Sequence, residues 1–274
     1  MINSIDTVFQ SLRSGNRKAF IPFIAAGDPN LAATAKLVRD LDAYGCHLVE
    51  VGFPFSDPIA DGPVIQAAYT RALERGVKVD GVFACLQALK QVAPQIQAPL
   101  VGMVSYSLVH RRGPAQFLDR ASQAGFAGLI IPDLPAEEAD GFAQQVAERG
   151  LKLIMLVTPT TPPRRAERIV KLSSGFVYCV SVAGITGERD RLPDQLLDQL
   201  RLLRGMTDLP LCVGFGVSRP EHVRMLRDVA DGVIVGSAIV RRLEHATASD
   251  WGVMSSEIRD LVRSLLDALN PPGG

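Results

Sequence analysis

Two carboxylates, Glu50 and Asp61, lie in the stretch Leu48–Gly62, LVEVGFPFSDPIADG. Leu48–Val51 has the composition of a buried strand interrupted by one acid. Successive strand residues point to opposite faces, so Leu48, Glu50 and Gly52 share one face and Val49 and Val51 the other. An ionised carboxylate among apolar side chains is costly unless paired or hydrogen-bonded, and burial raises a carboxyl pKa into the range useful for proton transfer. The residues that follow, Phe53 to Pro58, carry two prolines and continue neither a strand nor a helix. They lead to Asp61, which in isolation reads as an ordinary loop acid. For Glu50 the competing reading is an ion-paired structural acid.

Further along, Gly214-Phe215-Gly216 and Gly236-Ser237 each follow a short apolar run. Glycine permits close backbone approach to an oxyanion, and a helix starting at Ser237-Ala238-Ile239-Val240 would add its positive end. Gly-x-Gly alone is often only a turn. Paired with Gly-Ser one strand later, it suggests a phosphate site. Tyr178 opens the run Tyr178–Ser181, where a core aromatic is the plainer reading. Loop 181–192 is long, with glycines at 184 and 187, and fits either a mobile lid or a tolerated surface loop. An imine mechanism needs a lysine at a strand's C-terminal end, whereas Lys152 opens its strand. His47, His110, His222 and His245 are scattered and suit structural or surface roles better than a metal site. The chemistry left is general acid–base catalysis by carboxylates on a small phosphorylated molecule.

These residues need a frame, and the apolar pattern supplies one. Helical spacing from Asn3 to Arg13 predicts an N-terminal helix. Strands are expected at 20–26, 48–51, 99–104, 126–131, 151–157, 176–180, 210–213 and 232–235. Helices are expected at 31–44, 64–76, 80–92, 117–124, 137–149, 164–172, 193–203, 220–229 and 255–269. Eight short, nearly continuous apolar strands alternating with helices indicate α/β architecture with a covered parallel sheet. The expectation is a (β/α)8 TIM barrel, with the extra N-terminal helix and a short extra helix after the eighth strand. A doubly wound open sheet is the runner-up, but Gly27-Asp28-Pro29 stands where its glycine fingerprint belongs. One domain is expected over 1–274, with a disordered tail at 270–274. In such barrels the site lies at the C-terminal strand ends, where Glu50, the glycine pairs and loop 181–192 would meet.

Composition sets the outer limits. With 29 basic and 29 acidic residues among 274, the formal charge is zero, which argues against nucleic-acid or anionic-membrane partners. Cys46, Cys85, Cys179 and Cys212 lie far apart, and Cys46, Cys179 and Cys212 sit in or beside apolar runs, suiting buried reduced thiols in a cytoplasmic protein. No secretory signal or membrane span is expected.

The stretch Glu50–Gly62 closely resembles the signature of the tryptophan synthase α chain. Pro22-Phe23 with Gly27-Asp28-Pro29, Pro132-Asp133-Leu134-Pro135, 183–187 (AGITG), Gly214-Phe215-Gly216 and Gly236-Ser237-Ala238 match that family in the same order. The resemblance spans the chain. It implies a lyase cleaving indole-3-glycerol phosphate to indole and glyceraldehyde 3-phosphate without a cofactor of its own. It also implies a β-chain partner, in an α2β2 heterotetramer, that uses pyridoxal phosphate. By resemblance Glu50 protonates indole C3, Asp61 accepts the indole N–H, and Tyr178 lies beside the reacting carbons. Gly187, Gly216, Gly236 and Ser237 would hold phosphate, and Thr186 would meet Asp61 on loop closure. Phe23, Val104, Ile130, Leu156, Phe215 and Ile234 would wall the indole.

Two departures stand out. Val182 occupies a position where some members have arginine, and 103–105 differ in detail from the family pattern. Two other readings compete: a stand-alone lyase releasing free indole, and a silent subunit that only activates a partner. Glu50, Asp61 and Tyr178 together disfavour the second. An exposed rim at Phe53–Pro58, with two aromatics, is expected to favour docking over free release.

Overall fold

Apolar runs too short for helices pair edge to edge, and their alternating side chains are buried on both faces. The computed structural model describes residues 2–58, 61–181, 193–214, 216–244 and 251–271. Among these, the strands are β1 (Ala19–Ala25), β2 (Val49–Gly52), β3 (Leu100–Met103), β4 (Phe126–Ile130), β5 (Lys152–Ile154), β6 (Leu156–Val157), β7 (Val177–Val180), β8 (Leu211–Gly214) and β9 (Gly232–Val235). All pair in parallel in the order β5-β4-β3-β2-β1-β9-β8-β7-β6. Only Met155 separates β5 from β6, and its carbonyl accepts a hydrogen bond from the Tyr178 amide at 3.1 Å. The two ends of the order are therefore one interrupted strand, and the sheet closes into a barrel. Neighbours in the barrel are neighbours in sequence, which excludes the doubly wound alternative.

The strands divide the apolar residues into two cores. Val49, Val51, Leu100, Leu129 and Val213 face outward into the layer beneath the helices. Ile21, Phe23, Val101, Ile130, Ile154, Tyr178 and Ile234 face the barrel interior. The N-terminal helix, Ser4–Ser14, closes the bottom of the barrel. Asn3 caps it, accepting from the Ile5 amide, and Ile5, Phe9 and Leu12 at helical spacing enter the interior cluster. Phe9 meets Phe176 with ring centroids 5.8 Å apart. Asp6 on this helix pairs with Lys152 at 2.6 Å, which holds that lysine at the end of the barrel away from Glu50.

Several expected boundaries move. A helix at Tyr106–Arg112, capped by Ser105, precedes Pro114–Gln123, where one helix at 117–124 was expected. The last helix starts at Trp251, and Ser237–Leu243 forms the short helix after β9. Asn270 does not open a disordered tail. Its side chain accepts from the Lys18 amide at 2.8 Å and donates to the Lys18 carbonyl at 3.0 Å. Residues 272–274, His245, Val182, Thr186, Gly187 and Phe215 lie outside the described residues. Cys46, Cys179 and Cys212 are buried, as expected, and Cys85 is half-buried. Among the described residues no helix is long and apolar enough to cross a membrane.

Candidate active site

Glu50 is the centre of the site because strand parity gives it no other place to go. It lies in β2 opposite Phe23 of β1 and Val101 of β3, both interior residues, and is 1 % exposed. Among the described residues, neither carboxyl oxygen has a hydrogen-bond partner. Burial first, and the charge of Asp61 second, push its pKa from the ordinary 4.5 up to about 8. A group held this way is protonated at neutral pH and keeps its proton for delivery. Asp61 stands at the end of the loop leaving β2, just before helix Pro63–Glu74. The loop end is braced by backbone groups: the Asp61 amide donates to the Pro58 carbonyl at 3.0 Å, and Gln66 Nε2 donates to the Asp61 carbonyl at 2.8 Å. Burial raises the Asp61 carboxyl to about 6, below Glu50. Near pH 7 the site therefore pairs one protonated and one ionised acid, a separation suited to different roles.

Tyr178 enters from β7, paired with Leu156 on one side and Cys212 on the other, and is 4 % exposed. Burial, followed by the charges of Glu50 and Asp61, raises its hydroxyl well above the ordinary phenol range, so it stays protonated. Gly214 is part of this arrangement rather than of a phosphate loop. A Cβ there would lie 2.2 Å from the Tyr178 hydroxyl and 2.5 Å from ring carbon Cζ, so the missing side chain is the space the tyrosine fills.

The proposed indole wall is partly assembled. Phe23, Ile130 and Ile234 are buried in the interior cluster, and half-buried Leu156 packs against it. Val104 is not with them. It is buried in the outer layer, while Met103, opposite Gly52, faces inward. Strand parity from Val101 requires this, since residues two apart share a face. Sequence reasoning also missed Ile65 and Tyr69, which helix Pro63–Glu74 turns into the interior with Ala68. Their helical spacing, in a helix that starts just after Asp61, was the available signal.

The glycines expected to hold phosphate stand at the ends of β8 and β9. Gly216 has φ +78°, a conformation that suits glycine, and is half-buried. Gly236 immediately precedes helix Ser237–Leu243, with Ser237 exposed at its start. A Cβ on Gly236 would rest against Phe23 at 3.4 Å, so this backbone borders the wall beside Glu50. The expected aromatic docking rim needs correction. Phe53 is 1 % exposed and packs with Phe83, Phe117 and Phe126, Pro54 is buried, and Phe55 is half-buried. Ser56 and Asp57 are the exposed residues of that loop. Phe53 cannot face a partner because the aromatic packing that fixes the loop consumes it.

This geometry has close relatives. A protein from Rhodopirellula baltica named tryptophan synthase alpha chain is 51 % identical over 97 % of this chain and 98 % of its own. One of the same name from Acaryochloris marina is 45 % identical, over 97 % and 99 %. The crystal structure of tryptophan synthase subunit alpha from Legionella pneumophila superposes with a TM-score of 0.87 at 32 % identity, covering 98 % of this chain and 99 % of that one. Residues 9–267 match the family described as tryptophan synthase alpha chain. With the barrel, the strand-two acid and the loop signature all in place, the chain belongs to the tryptophan synthase alpha chain family.

Proposed function

We propose that Glu50, Asp61 and Tyr178 carry out, in this chain, the lyase reaction of its family. The chain is a lyase subunit of tryptophan biosynthesis that cleaves indole-3-glycerol phosphate to indole and glyceraldehyde 3-phosphate. The observation that carries the residue assignment is a fully buried carboxyl, without a hydrogen-bond partner among the described residues, whose pKa is raised above that of a second acid, Asp61.

Breaking the bond between indole C3 and the glycerol chain requires somewhere for its electrons to go. Protonation of C3 by Glu50 turns the ring into an iminium-like cation that accepts them, so the substrate is its own electron sink. The ring nitrogen carries the developing positive charge, and ionised Asp61 stabilises it through the N–H. Glu50, now ionised in a site that disfavours its charge, takes the proton of the glycerol C3′ hydroxyl as the C–C bond breaks and the aldehyde forms. The acid is thereby regenerated, with the same carboxyl serving as acid and then base. Tyr178 is positioned beside the reacting carbons. Phe23, Ile130, Leu156 and Ile234 hold the ring, joined by Met103 in place of Val104.

Phosphate is held by backbone amides at Gly216, Gly236 and Ser237, with Gly187 completing the set and Thr186 reaching Asp61 on loop closure. The first turn of helix Ser237–Leu243 contributes free amides and a partial positive charge. The partner is a β chain, in an α2β2 assembly, to which indole passes for condensation on the β chain's pyridoxal phosphate. Cytoplasmic location follows from that pathway. The test is indole release from indole-3-glycerol phosphate, with and without a β chain. Indole formed by the chain, and formed faster with the partner, supports the reading; no indole under either condition overturns it.

A further inference from the structure

Glu50 is fixed by its strand, whereas Asp61 stands on the loop beyond β2, so the separation of the two acids depends on a second hold. The loop after β1 supplies it. The Ala26 amide donates to the Gly52 carbonyl at 2.9 Å, tying that loop to the strand end two residues past Glu50. Two residues further on, the Asp28 side chain is 1 % exposed and accepts from Arg71 Nε at 3.0 Å and Nη2 at 2.6 Å. Arg75 lies 3.5 Å from the same carboxyl. Gly27 completes the grip, since a Cβ there would lie 2.5 Å from Cγ2 of Val77, three residues past the helix that carries Arg71. The opposite end of that helix, Pro63–Glu74, reaches Asp61. Gly62 is its N-cap, and Gln66 Nε2 in its first turns donates to the Asp61 and Pro58 carbonyls at 2.8 and 3.2 Å.

We propose that Arg71 is a positioning residue of the lyase reaction: acting through helix Pro63–Glu74, its two-pronged ion pair with Asp28 sets where Asp61 stands relative to Glu50. The proposal rests on the role assigned above to Asp61. A planar guanidinium that meets both oxygens of a buried carboxylate fixes direction as well as distance, whereas a lysine ammonium supplies only a point charge. Between the clamp and Asp61, Ile65, Ala68 and Tyr69 bury one face of the helix in the barrel interior. A tilt at Arg71 is therefore carried to the residue just before the N-cap. Glu244 approaches Arg71 only at 3.9 Å and is 44 % exposed, so it adds little to the hold. The bracket from Gly52 through Ala26, Asp28 and Arg71 to Gln66 joins the strand of one acid to the loop of the other by a route separate from the chain between them.

The test is kcat for indole release, per folded molecule, by R71K and R71M in the parent and in the D61N background, with the Kd of glycerol 3-phosphate measured in the same samples. Misplacement of Asp61 lowers kcat about tenfold in R71K and about a hundredfold in R71M, while glycerol 3-phosphate binds within about twofold of the parent. In D61N the carboxylate to be placed is already gone, so adding either substitution slows turnover no further. A folded R71K or R71M with parental kcat overturns the proposal. So does a loss of the same size in the D61N background, or a weakening of glycerol 3-phosphate as large as the fall in kcat, since either marks a general loosening of the barrel. If R71M does not fold, R71K with and without D61N decides by the same outcomes. Parental activity in D61N alone overturns the role of Asp61 itself, separately from Arg71.

Discussion

Glu50 stores a conflict between stability and function that can be measured. Its carboxyl is raised from 4.5 in an exposed chain to about 8 when folded. Between those values the folded state binds the proton more tightly than the unfolded one. Stability contributed by the protonated group is therefore complete below about 4.5 and lost as pH rises through about 8. The shift corresponds to on the order of 5 kcal/mol. E50Q removes the titration, so the melting temperature of the parent should fall relative to that of E50Q as pH rises from 5 to 9. Parallel curves would show that Glu50 is not desolvated. The same pair predicts a bell-shaped kcat/KM profile. Activity rises as Asp61 ionises through about 6 and falls as Glu50 loses its proton through about 8. A profile flat from pH 5 to 9 would contradict the assignment.

At the scale of elements, helix Pro63–Glu74 matters as much as the strands, because it starts beside Asp61 and carries Ile65 and Tyr69. An ion pair clamps it to the loop after β1: Arg71 Nε and Nη2 donate to the two oxygens of Asp28 at 3.0 and 2.6 Å, and the Asp28 side chain is 1 % exposed. R71M should cost about 3 kcal/mol in denaturant unfolding, since it leaves a buried carboxylate short of its main partner; Arg75 keeps the loss from being larger. Gly214→Ala should cost about 1–3 kcal/mol and impair cleavage, because the new methyl collides with Tyr178. Unchanged unfolding and turnover would show that the tyrosine moves aside freely. These elements also explain what the sequence made legible. Strand parity placed Glu50 inside, and alternation of apolar runs with helical periods gave the barrel. Val104 was misassigned because a six-residue apolar run does not announce its register; only pairing with β2 fixes which alternate residues face inward. Phe53 was misread because a proline-rich loop looks exposed until the aromatic cluster beneath it is visible. Gly214 looked like a phosphate glycine because close approach by phosphate and by a tyrosine leaves the same mark on the sequence.

In the whole molecule, one end of the barrel is filled and the other is reserved. Ile5, Phe9 and Leu12 plug the N-terminal end against Phe176, so a rigid base supports the strand ends that carry Glu50, Tyr178 and the glycines at 214, 216 and 236. The separation lets stability and chemistry be assigned to opposite faces. It also sets the terms of the central claim, that a buried acid inside this barrel moves the proton that cleaves the substrate. The most direct measurement is indole release from saturating indole-3-glycerol phosphate at pH 7 by E50Q and by the parent chain, with substrate binding followed in the same samples. The account predicts that E50Q binds the substrate but releases indole at least about a hundredfold more slowly than the parent. Turnover by E50Q at a rate close to the parent's would contradict it.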